Sequence, residues 1–92
     1  RDDWSAAFLW SRVLFDLRRG DKVAAKVDLK TAMKCNHHVA NFFTGKRKLP
    51  AELPATYSPG NQDEAVLYMA AFAEAWLASS DAMEWLIGQL AN

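Results

Sequence analysis

Cys35, His37 and His38 set a thiol and two imidazoles within four positions, and thiolate with imidazole is a ligand pair that zinc accepts. A closed tetrahedral site needs a fourth donor. These are the only histidines and the only cysteine of the chain, and successive residues at a helix end point in different directions. Helix-end packing is therefore the expectation, and no metal or other cofactor is assigned. A metal- or ligand-binding helical domain using Cys35, His37 and His38 stands as the rival reading. Nucleophilic catalysis by Cys35 would need a base within hydrogen-bonding reach and an oxyanion pocket, and neither a glycine-rich elbow nor an ordered triad is present. No catalytic residue is assigned, and an enzyme is not expected.

Lys46, Arg47 and Lys48 form a compact basic patch, to which Lys34, Arg18 and Arg19 can add. Such a cluster suits an acidic peptide or a phosphate. The plainer alternative is a solvated loop whose charges keep an apolar segment in water, and three charges make a weak polyanion site. Four tryptophans and five phenylalanines invite an aromatic ligand box. Trp10, Phe72, Trp76 and Trp85 recur at helical spacing among other apolar residues, however, as core side chains do in a small helical domain.

Eleven basic and eleven acidic residues cancel, which removes the net positive field used in nonspecific nucleic-acid binding. No secretory leader and no uninterrupted apolar run of about 20 residues is found, so neither nucleic acid nor membrane is an expected partner. One cysteine forms no internal disulfide, and a cytoplasmic setting follows as the expectation. The opening Arg1-Asp2-Asp3 reads as an interior start, so the chain is taken as a piece of a longer protein.

Four main elements must position these groups. From a cap at Asp3, residues Trp4 to Arg19 contain neither Gly nor Pro and repeat Ala6, Trp10, Val13, Leu14 and Leu17 at helical spacing. Trp4, Phe8 and Phe15 lie off that stripe, which predicts a helix covered on two sides. Gly20 ends it, Asp21 caps a second helix over Val23 to Asn36, and Val39, Phe42 and Phe43 make a single apolar turn ending at Gly45. Pro50, Pro54 and Pro59 exclude regular structure from Lys46 to Gly60, with Leu49, Leu53 and Tyr57 spaced to anchor the segment as a packed strap. Asn61 with Glu64 starts a third main helix through Ala78, whose face is Ala65, Tyr68, Met69, Phe72 and Trp76. Ser80 or Asp81 caps a fourth with Met83, Leu86, Ile87 and Leu90 inward. The fold class is all-α, in one domain over 1–92, with hairpin one at 3–37, the strap at 38–61 and hairpin two at 62–91.

The run Gly20, Ala25, Leu29, Ala32, Met33, Asn36 resembles the second half of a tetratricopeptide repeat. Pairing Leu9 with Val66, Ala25 with Ala82 and Leu29 with Leu86 gives an offset of 57 throughout, one repeat period of about 34 plus the strap. Asp16, Val13 and His37 depart from the pattern, at its aromatic, small and closing-proline positions. The series Asn36, Val39, Leu49-Pro50, Pro54, Tyr57, Gly60, Glu64-Ala65, Tyr68, Ala75-Trp76, Ala82 and Leu86 is similar to a C-terminal segment of the suppressor of tumorigenicity 7 family and of bacterial tetratricopeptide proteins. These resemblances imply a helical α-α superhelix fragment and a protein-interaction or scaffolding module. The repeat's groove positions fall on Ala7, Trp10, Leu14 and Leu17, with His38 and Val39. A protein or peptide partner, or self-association through an uncovered apolar face, is then expected. A terminal cap of a repeat array, with no partner of its own, is the alternative.

Overall fold

The computed structural model describes residues 5–91, so the expected cap at Asp3 and the aromatic Trp4 lie outside it. Five helices follow in order: α1 (Ala6–Arg18), α2 (Lys22–Cys35), α3 (His38–Phe43), α4 (Gln62–Leu77) and α5 (Ser80–Leu90). The described residues contain no strand, and the all-α class stands.

Local chemistry sets the boundaries. Ser5 Oγ accepts from the Phe8 amide at 3.2 Å and caps α1, filling one of the donors a helix start leaves unpaired. Gly20 turns the chain at φ +79°, a region closed to most side chains, and Asp21 Oδ1 caps α2 through the Ala24 amide at 2.9 Å. Asn61 Oδ1 accepts from the Glu64 amide at 2.9 Å and starts α4. The return bond of a capping box differs from the expectation: Glu64 reaches the Gly60 amide at 2.8 Å. At α5 the cap position is Ser79, not Ser80 or Asp81, and its hydroxyl makes no capping bond but accepts from Arg18 Nε at 2.9 Å.

Helix α1 is the centre of the packing, touching α2, α4 and α5, while α4 also carries α3 and α5. Its inner face supplies Ala6, Leu9, Trp10, Val13 and Leu14 to the core. Fully buried Ala25 and nearly buried Ala82 keep α2 and α5 free of bulk where they meet the core. Phe43 of α3 joins the two halves, lying 6.0 Å from the Trp10 ring and 5.0 Å edge-on to Trp76, distances at which aromatic pairs attract. The strap residues Leu49, Leu53 and Tyr57 are all exposed, which corrects the expectation of a packed strap. The proline-bearing segment has no regular structure, and its ends are held by hydrogen bonds, Arg47 N–H to the Asn41 carbonyl at 3.1 Å and Gly60 N–H to the Glu64 carboxylate at 2.8 Å.

Candidate functional site

The groove expected from the repeat pattern does not exist as one surface. Trp10 has no exposed area, Leu14 and Val39 are buried, and only Ala7 of the strip is fully exposed. The reason is α3: its Phe43 stacks on the Trp10 ring, while the Trp10 indole N–H donates to the Asn36 carbonyl at 3.2 Å. Leu17 lies instead in a cleft of about 480 Å³ with Lys22, Asp81, Ala82, Glu84 and Trp85. Ala7 lines a smaller one of about 200 Å³ with Ser5, Tyr57, Tyr68 and Phe72.

Half-buried His38 has its ring 4.3 Å from that of His37. Burial first, then the positive neighbours His37 and Arg47, lower its pKa below 6.5. Cys35, His37 and His38 do not close on a metal: among the described residues no three His, Cys, Asp or Glu side chains are grouped to hold one. Lys46, Arg47 and Lys48 are exposed, and Arg47 and Lys48 border a cleft of about 460 Å³ shared with Glu52 and Asp63. The carboxylates dilute the patch's attraction for an anion.

Three arrangements escaped the sequence reading. On α1, Phe8 and Phe15 of the aromatic set expected to be covered are exposed, by 45% and 62%. Seven residues separate them, so they lie on one side two turns apart. Arg12 sits 5.9 Å over the Phe8 ring and Arg19 5.3 Å over Phe15, giving an aromatic stripe flanked by guanidinium groups. The helical spacing of Phe8, Ser11, Arg12, Phe15 and Arg19 was the available signal.

The second arrangement brings buried Asp16 and half-buried Asp28 together. Asp16 is almost fully buried, its Oδ1 accepts from Arg19 at 3.1 Å, and its Oδ2 has no other partner, whereas Asp28 of α2 pairs with Arg12 at 3.3 Å. Burial, then the hydrogen bond and negative charge of Asp16, raise Asp28 to about 6 against the opposing pull of Arg12 and Arg19. Protonated, Asp28 can donate to Asp16.

The third is a polar knot. Buried Glu64 accepts from the Ala6 amide at 3.0 Å, from Asn36 Nδ2 at 2.9 Å and from Gly60 N–H at 2.8 Å. Asn36 Nδ2 also donates to the Asn61 carbonyl at 2.8 Å, and Asn36 Oδ1 accepts from His38 N–H at 3.0 Å. The start of α1, the end of α2, the start of α3 and the end of the strap are thereby tied to α4. A carboxylate at the first residue of α1 is also favourably placed against the helix dipole. Its partners are up to 58 positions away in sequence, so no local pattern announced it.

These arrangements offer surfaces and a rigid frame for them, and no helix among the described residues is long and apolar enough to cross a membrane. Comparison of the chain with protein-family models, with curated proteins and with solved structures gives no match.

Proposed function

We propose that the chain is a non-catalytic protein-interaction module of the tetratricopeptide type, part of a larger scaffold, in which α1 with α2 and α4 with α5 form two helical hairpins joined by the proline-rich strap. Its presented surface is the Phe8–Phe15 stripe of α1. The observation that carries this reading is the exposure of two aromatic rings on the helix that packs against α2, α4 and α5. Rings held on a rigid helix lose little freedom on binding, and arginines beside them favour a partner combining apolar residues with carboxylates. Support for the paired-hairpin arrangement comes from the short turns at Gly20 and Ser79 and from the burial of Leu9, Val66, Ala25, Ala82, Leu29 and Leu86, equivalent positions of the two halves.

The test is recovery of partners by the parent protein and by its Phe8→Ala/Phe15→Ala variant. Exposed positions leave the fold intact, which circular dichroism verifies, and each ring removed from an interface weakens binding by roughly tenfold. Undiminished recovery of every partner would retire the stripe in favour of a structural cap.

A further inference from the structure

The zero net charge conceals a divided chain. Residues 1–48 hold all eleven basic residues with five acidic ones, whereas residues 49–92 hold six acidic residues and no basic one, so the two parts carry +6 and −6. The helices turn this division into surfaces. On α2, Lys22, Lys26, Lys30 and Lys34 recur every fourth residue, stack along one side and are all exposed. Like charges at that spacing repel, and the ion pairs among the described residues use arginines only. Beside this ridge Val23 and Val27 are 79% and 60% exposed. A basic ridge interleaved with valines is unfavourable on an isolated molecule.

The complementary chemistry is on α5. Asp81 and Glu84 are exposed on the same side as Ile87, and they border the cleft of about 480 Å³ whose remaining walls include Leu17, Ala82 and Trp85. Lys22 of the same molecule also lines that cleft, and neither carboxylate is held in an ion pair among the described residues. Carboxylates over an apolar floor match ammonium groups interleaved with valines.

We propose that a second copy of this chain docks here: Lys26, Val27 and Lys30 of one molecule enter the Asp81–Glu84 cleft of the next. This deepens the interaction reading above by naming one partner. The two surfaces are different, so the contact is head-to-tail, and such contacts propagate rather than stop at a dimer unless the rotation closes a ring. Opposite charges at close range accelerate encounter and make the association sensitive to salt.

Sedimentation velocity over a concentration series tests this on the 92-residue chain. The weight-average sedimentation coefficient rises without a dimer plateau at low ionic strength and returns to the monomer value at high ionic strength. Lys26→Glu/Lys30→Glu and Asp81→Lys/Glu84→Lys each stay monomeric alone, and an equimolar mixture of the two associates at least tenfold more tightly than either by itself. A parent chain that is monomeric at low salt, a plateau at dimer, association indifferent to salt, or a mixture no tighter than its components overturns the proposal. A monomeric parent that instead binds a short DNA duplex would hand the ridge to a polyanion. Monomers whose partner capture still depends on Phe15 would end this proposal and leave the interaction reading standing.

Discussion

At the scale of single residues, the molecule depends on two carboxylates used in opposite ways. Glu64 is buried and surrounded by N–H donors from three other segments. Glu64→Ala strands those donors in a dry site, and at about 1–3 kcal/mol for each buried group left unpaired the expected loss is about 3 kcal/mol. Glu64→Gln fails to restore it, because the amide nitrogen must face one of the donors. Urea unfolding reads both, and a Gln variant as stable as the parent would contradict the assignment of the knot. Asp28 works through its proton. Its pKa is near 3.8 in the unfolded chain and about 6 in the fold, so the stability contributed by that proton is complete below 3.8 and is lost as pH rises through 6. Asp28→Asn keeps a donor toward Asp16 at every pH and gives up a partly exposed pair with Arg12, worth about 0–1 kcal/mol. Thermal melts from acid to neutral pH should show the variant free of the fall between 4 and 6 and melting above the parent at neutrality; a lower melting point there would refute the shared proton.

At the scale of elements, the joints decide the geometry. Gly20 and Gly60 both have positive φ, but a Cβ at Gly20 meets nothing, whereas one at Gly60 comes within 3.2 Å of the Cys35 carbonyl oxygen. Gly20→Ala should therefore cost only its backbone strain, about 1 kcal/mol, and Gly60→Ala more, because the end of the strap must also move off α2. The order of their denaturation midpoints checks this, and equal midpoints would mean that the strap end yields freely. Helix α3, only six residues long, has an effect beyond its size. Phe43 fills the place where the repeat pattern put a binding groove, and the outward stripe is left to Phe8 and Phe15.

For the molecule as a whole, the radius of gyration of 12.4 Å is close to the value of about 12 Å that compact domains of this length reach. Helix α1 touches α2, α4 and α5, the Glu64 knot ties segments remote in sequence, and one core cluster takes residues from all five helices. Tryptophan fluorescence and far-ultraviolet circular dichroism should follow one coincident unfolding transition. Two separated transitions would show that α4 and α5 fold apart from the rest. The helices were legible in the sequence because their signals are local: the spacing of Ala6, Trp10, Val13 and Leu14, the caps at Asp21 and Asn61, the break at Gly20 and the three prolines each act within a few residues. The inward side of α4 was legible for the same reason, through Ala65, Tyr68, Met69 and Trp76. Periodicity does not say what covers a helix: it put Trp10 on the inner stripe, as found, but Phe8 and Phe15 under cover, and it was the repeat resemblance that turned Trp10 toward a groove. Nor does a net charge say where charges lie. The tertiary structure alone decided that Phe43 would close over Trp10, that Asp16 would meet Asp28, and that Glu64 would collect donors from segments remote in sequence, because burial and hydrogen bonding depend on which surfaces the folded chain brings together.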